Sequence, residues 1–151
     1  MNNENPNNFK DKVKNLNNTA DTTSEFDPKD VSDNKGISVL SYLGPLVFIP
    51  MFAKKDSKYA RFHANQGLIL FIVYVGYTVL QNILLSILRS IFPWKYNYGL
   101  VGGRGFIFSA LSTILSLIWI PITVIAIIGI VNAASGKAKE LPLIGKFKLL
   151  K

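Results

Sequence analysis

Apolar positions along this chain gather into three long runs, with polar and charged positions between them. The first run, residues 37–53, reads ISVLSYLGPLVFIPMFA; the second, 64–88, reads ANQGLILFIVYVGYTVLQNILLSIL; the third, 105–131, reads GFIFSALSTILSLIWIPITVIAIIGIV. A helix needs about 20 apolar residues, rising ~1.5 Å each, to cross a bilayer core. The second and third runs exceed that, and uncharged runs of such length fit poorly as buried core helices of a soluble domain. The first is at the lower limit, and Gly44-Pro45 and Pro50 are expected to kink or break it, so it either crosses or enters and turns back. No polar turn follows Pro121, so the third is expected as one kinked or tilted span rather than two short helices. The predicted fold class is all-α: a polytopic transmembrane helical protein with three hydrophobic segments, the first complete or re-entrant. Three complete spans are the preferred form.

Residues 1–26 are polar and Asn-rich, a composition that cannot bury enough apolar surface to offset chain entropy, and are expected to be a disordered head. No apolar core follows the first cations, so no signal peptide is expected. The helical membrane domain is expected over 27–151. It starts at DPKD, where Asp27 suits a helix cap, Pro28 the first helical position and Asp30 the first turn. The loop 89–104 carries Trp94, Tyr96 and Tyr98, rings that favour the headgroup layer. The tail 132–151 ends with apolar residues interleaved with lysines and is expected to lie on the membrane surface.

Charge changes the picture less than its total suggests. The chain of 151 residues is 49% hydrophobic, yet its net charge is +8. In a soluble domain that would point to nucleic acid; here the cations lie between apolar runs, and no nucleic-acid partner is expected. Lys and Arg number five in the head, four in 54–63, three in 89–104 and five in the tail. Three complete spans would put the 54–63 loop and the tail on one side, nine cations there against five near the membrane opposite. A re-entrant first run gives fourteen against three. Both arrangements place the 54–63 loop and the tail in the cytoplasm.

No acid lies between Asp56 and Glu140, and cysteine is absent. One histidine without cysteine does not make a typical zinc site. Without intramembrane carboxylates there is no proton relay, aspartyl dyad or divalent-cation cage to read. A lone histidine at a helix entrance is more often structural than catalytic, so no enzyme activity and no cofactor are expected. GLVGGRG, 99–105, matches neither the dinucleotide fingerprint nor the P-loop and reads as a hairpin.

What remains is a cluster of polar residues around the second run. Tyr59, His63, Gln66, Tyr74, Tyr77 and Gln81 fall near one helix face; Ser109, Ser112, Ser116 and Thr123 share another. Helix packing is favoured over a solute pathway, each interhelical hydrogen bond contributing about 0.6 kcal/mol. The candidate cytoplasmic rim comprises Lys54, Lys55, Asp56, Lys58, Arg61, His63, Asn65, Gln66, Asn132 and Pro142. The cations of 54–61 suit the headgroups of anionic lipids, each contributing about 1 kcal/mol near the surface. Antiparallel pairing by depth sets Gln81 level with Ser112 and Thr113, and His63 against Asn132 at the start of the tail. Lys58 and Arg61 nearby favour a neutral ring there.

KKDSKYARFHANQGLILFI, followed at the far end by GKAKELPLIGKFKLL and preceded by DVSDNKGISVLSYLG, resembles small bacterial membrane proteins grouped as a domain of unknown function and described as similar to the Tic-twenty component of the chloroplast import translocon. The resemblance covers about residues 28–151. It implies a multi-pass protein of a bacterial cell membrane, in which the polar cluster is the cytoplasmic rim of the second helix, with Asp56 or Ser57 capping it, Arg61 reaching phosphates, and His63 and Gln66 facing inward. The function expected is a non-enzymatic interaction or accessory subunit, binding a membrane-protein partner through its helices and basic rim. A transport or protein-translocation component acting as a homo-oligomer is the alternative.

Overall fold

The computed structural model describes residues 15, 17–91, 104–147 and 149–150. Most of the expected disordered head, and the aromatic and Gly-rich loop, lie outside the described residues. The described elements are helical, with one isolated antiparallel bridge, Asp21 to Lys139.

Helix α1 spans Pro28–Val39, and the Asp27 carboxylate accepts from the Lys29 N–H at 2.8 Å, closing its first turn. The first apolar run is not a single helix. After α1 come a 3-10 turn at Leu40–Tyr42, a second at Gly44–Val47, and a short helix α2, Phe48–Ala53. Pro45 disfavours helical backbone in the residue before it, and Gly44 takes φ +61°, a value open to glycine. Pro50 is tolerated because it is the third residue of α2, where an N–H has no intrahelical acceptor. The apolar piece Gly44–Ala53 is about 15 Å long at ~1.5 Å per residue, half a bilayer core. The break expected in the 37–53 run is present, and among the described residues two helices are long and apolar enough to cross, the preferred third complete span not being one of them.

The first of these, α3, runs unbroken over Lys58–Ile91. The other is Phe108–Ala134, formed by α4, Arg104–Leu117, and α5, Trp119–Ala134. The irregularity between α4 and α5 falls at Ile118, whose N–H reaches back only to Leu115. Pro121 causes it: its nitrogen cannot donate to the Leu117 carbonyl, and its ring crowds that oxygen. Only 17% and 11% of the most apolar stretches of these two helices is buried, the reverse of a soluble core helix.

The chain divides into two compact units, Met1–Phe71 with Val124–Lys151, and Ile72–Thr123. In the second unit, Trp119 donates from Nε1 to Gln81 Oε1 at 2.9 Å, and the Tyr77 hydroxyl donates to the Leu115 carbonyl. The rings of Tyr74 and Tyr77 pack on Trp119 at 4.9 and 5.1 Å. The polar face of α3 thus meets a neighbouring helix. Gln81, however, takes Trp119 rather than the level of Ser112 and Thr113, because an indole N–H in a low-dielectric setting needs an acceptor. Ser112, Ser116 and Thr123 turn back onto carbonyls of their own chain segment, those of Ser109, Ser112 and Trp119.

The first unit holds most of the buried polar groups. Its core packs Tyr42, Val47, Tyr59, Ala64, Ala133 and Leu141. Two glycines permit this closeness. A Cβ on Gly67 would land in the Ser41 carbonyl, and one on Gly129 in the Tyr42 ring.

Candidate functional site: a hydrogen-bonded rim at the start of the long helix

The first turn of α3 contains Lys58 and Arg61 and no acid. Cations oppose the positive end of a helix dipole, so this helix needs its negative partner from elsewhere. Asp30 of α1 supplies it: Oδ2 accepts the Tyr59 N–H at 3.0 Å. Ser57 adds the side-chain cap, its Oγ accepting the Ala60 N–H at 3.0 Å. Of the two expected caps, Ser57 is the one used; Asp56 is exposed. Burial opposes charge on Asp30. Hydrogen bonds from Ser57, the Tyr59 N–H, Asn34 and the Lys58 N–H outweigh it and hold the carboxyl below its ordinary 3.8. Asp30 was not among the expected site residues, although the acid-free first turn of α3 was a readable reason to look for a remote carboxylate.

One turn further along α3, His63 is fully buried among three rings: Tyr59 at 4.7 Å, Phe62 at 5.2 Å and Tyr42 at 5.8 Å. Its Nδ1 lies 2.7 Å from the Tyr42 hydroxyl. With the ring proton on Nε2, the hydroxyl donates and Nδ1 accepts. Nε2 is buried and faces the Lys137 backbone without a well-formed bond. His63, set level with Asn132 by depth, does not bond to its side chain. Asn132 pairs with Asn17 in both directions at 3.0 Å, amide to amide, a match a single ring nitrogen cannot offer. The contact to the start of the tail belongs to Tyr59, whose hydroxyl donates to the Ala133 carbonyl at 3.0 Å. Tyr42 and Asn17 were missed, because neither stands near His63 or Asn132 in sequence.

Asn65 and Gln66 then hold the tail at two places. Gln66 donates to the Lys139 carbonyl at 3.2 Å and accepts from the Leu141 N–H at 2.5 Å. Asn65 donates to the Phe147 carbonyl at 2.8 Å and accepts from the N–H groups of Leu149 and Leu150 at 2.6 and 2.9 Å. A primary amide carries a donor and an acceptor as a peptide group does, so each side chain substitutes for a neighbouring strand. Pro142 is half-buried at the start of the turn between the two anchor points; Leu143 next to it has φ 68° and an exposed side chain.

The same tail is held from its other side. The Thr22 N–H donates to the Ala138 carbonyl at 3.0 Å, and the Glu140 N–H to the Ala20 carbonyl at 3.0 Å. Described residues of the head are thus paired with the tail, ahead of the boundary expected at 27. Lys54, Lys55, Lys58 and Arg61 are exposed around this assembly. Lys58 and Arg61 line a cleft of about 230 Å³ with Phe62, Asn65, Glu140 and Leu150. Among the described residues no group of three or more His, Cys, Asp or Glu is placed to hold a metal.

Comparison with known proteins identifies the relatives of this arrangement. Residues 35–148 match the profile of the magnetosome magnetite crystal formation protein family. Magnetosome protein MamF of Paramagnetospirillum magneticum is 30% identical over 111 residues, covering 74% of this chain and 78% of the relative. Magnetosome protein MamF of Magnetospirillum gryphiswaldense is 28% identical over 104 residues, covering 69% and 72%. No solved structure matches. These matches correct the resemblance to the Tic-twenty-like group: the loop, helix mouth and closing turn on which it rested all lie inside the matched range. Nothing in the matches points to transport or protein translocation. The matched range runs from within α1 to residue 148, taking in both long helices and the Gln66 contacts to the tail, and by that range the chain belongs to the magnetosome magnetite crystal formation protein family.

Proposed function

We propose that this protein is a non-enzymatic accessory protein of a bacterial magnetosome membrane, where it takes part in forming a magnetite crystal. The observation that carries the reading is the family match across 35–148, which takes in both candidate spans and the rim. In this reading α3 and the α4–α5 pair cross the bilayer, and the broken first apolar run re-enters on the side it started from. The 54–63 loop and the tail then share the cytoplasmic face. A rim whose buried amides are spent on its own backbone is suited to holding a fixed surface, not to turning over a substrate. That surface is where a partner of the crystal-forming membrane docks.

The test is replacement of the resident MamF in one of the two magnetite-associated relatives' hosts by this chain. The expected outcome is recovery of the tagged chain with the crystal-bearing membrane fraction, together with a crystal-size distribution, measured by electron microscopy, that tracks its presence. A chain found in that membrane at normal abundance with no effect on crystal size or number would overturn the proposal.

A further inference from the structure

Two clefts adjoin in the first unit and share Arg61 and Leu150. One, of about 230 Å³, is lined by Lys58, Arg61, Phe62, Asn65, Glu140 and Leu150, among others. The second, of about 350 Å³, is lined by Met51, Phe52, Lys55, Arg61 and Leu150. The first carries two cations, Lys58 and Arg61, and one acid, Glu140; the second joins three apolar side chains to two cations, Lys55 and Arg61. Lys55 extends over the Phe52 ring, 5.8 Å from its centroid.

Their depth is set by α3. Arg61 lies three residues before the uncharged run 64–88, about 4.5 Å along the helix axis. Lys58 lies one turn farther out. A headgroup phosphate at the edge of the hydrocarbon stands at that level. The cations do not serve the helix, since they occupy the end where its dipole disfavours them. Nor do the described hydrogen bonds occupy their charged ends: those of the rim run between backbone groups and the side chains of Asp30, Ser57, Asn65 and Gln66.

We propose that these paired clefts form a binding site for one anionic phospholipid. Arg61 and Lys58 hold the phosphate, with Arg61 placed to offer two parallel N–H groups to its oxygens. Glu140 accepts from a headgroup hydroxyl, which selects a polyol headgroup over a bare phosphate. The acyl chains lie on Met51, Phe52 and Leu150. Leu150 belongs to the segment that Asn65 holds, so the site exists only while the tail is clamped. This inference goes beyond the accessory role proposed above and does not depend on it.

The shared chemistry is a phosphate group, and the experiment separates its sources. The full chain, purified in detergent, is titrated with phosphatidylglycerol or phosphatidylcholine, and bound lipid is counted by native mass spectrometry. Inorganic phosphate in excess is the competitor. The expected result is a preference for phosphatidylglycerol that survives inorganic phosphate and falls roughly fivefold for each cation removed in Lys58→Gln and Arg61→Gln. Arg61→Lys should keep part of it. Lys35→Gln, which removes an exposed cation of α1, should change nothing. Asn65→Ala, with all charges intact, should also weaken binding. Equal binding of the two lipids, a preference unchanged in the double variant, or its loss to inorganic phosphate would each overturn the proposal. Because the substituted cations are exposed, a retained melting transition separates loss of the site from loss of the fold.

Discussion

The Tyr42 hydroxyl stands 2.7 Å from Nδ1 of His63, joining the broken first apolar segment to the long helix α3 through one buried hydrogen bond. The two residues are 21 apart in sequence, and both are at least 95% buried. Tyr42 also packs against Gly129 of α5, so the bond lies where three parts of the first unit converge.

Tyr42→Phe keeps the ring and removes the hydroxyl, leaving Nδ1 buried without its partner. The expected loss is about 1–3 kcal/mol. His63→Ala should cost at least as much, since it also empties the space among three aromatic rings. The double variant should be less destabilised than the sum of the singles, by about 0.5–3 kcal/mol. Thermal melts in detergent measure all three; additive losses would show that the bond contributes nothing.

Asn65 and Gln66 should fail separately. In Asn65→Ala, amide exchange at Leu149 and Leu150 is expected to accelerate by about tenfold or more, the equivalent of ~1.4 kcal/mol, while Leu141 stays protected. In Gln66→Ala the pattern reverses. Hydrogen exchange resolved by segment distinguishes this from general loosening of the tail, which would expose all three sites in both variants.

Glycine substitutions along α3 should split by position. Gly67→Ala drives a methyl into the Ser41 carbonyl and should destabilise by about 1–3 kcal/mol or more. Gly76→Ala meets nothing within 4 Å and should stabilise the helix by up to about 1 kcal/mol. Gly129→Ala should behave like Gly67→Ala, because its methyl meets a ring held by the His63 bond. A stable Gly67→Ala protein would show that α3 and the Ser41 turn are not in close contact.

Acid should weaken the junction of α1 and α3. The Asp30 carboxyl is held below 3.8 in the folded chain, so its stabilising effect is fully present above that value and disappears as pH falls through the lower folded value. Asp30→Asn should lower stability at pH 7 and flatten the stability profile below about pH 4. Parallel profiles for the two proteins in that range would remove Asp30 from the account.

The side of the membrane is open to direct labelling, as the chain has no cysteine. Single cysteines replacing Lys55 and Lys95 should differ towards an impermeant thiol reagent applied to the intact membrane from its cytoplasmic side. Position 55 should react and 95 should not, as the charge counts of both topologies require. Reaction at 95 alone would invert the reading.

Much of the architecture is legible in apolar length. The 64–88 run lies inside α3 and the 105–131 run inside α4 and α5, because nothing but a helix satisfies so many backbone groups without water. The helices outrun the apolar segments at the rim, where Asp30 and Ser57 cap a polar first turn that hydropathy cannot register. The proline and glycine of the first run announced a break but not its extent, since three consecutive helical fragments depend on what Tyr42 and Ser41 pack against. Spacing put Tyr59, His63 and Gln66 on one face of a helix, and all three are buried. The partners of Asn65 and Gln66 were not legible: they are backbone groups, identical at every residue, and only the folded path of the tail brings them within reach.

The clamp has a consequence for the order in which the protein is made. Gln66 is separated from Leu141 by 75 residues, and Asn65 from Leu150 by 85. At the usual ~5–20 residues per second, about 4–17 seconds pass between synthesis of these amides and synthesis of the last backbone group they hold. During that interval α3 can insert and the α4–α5 pair can follow, while two polar side chains at the mouth of α3 stay solvated. Their closure on the tail is then a late event, one that waits for residues 139–150. A ribosome stalled before residue 141 would leave both amides of a newly inserted helix open.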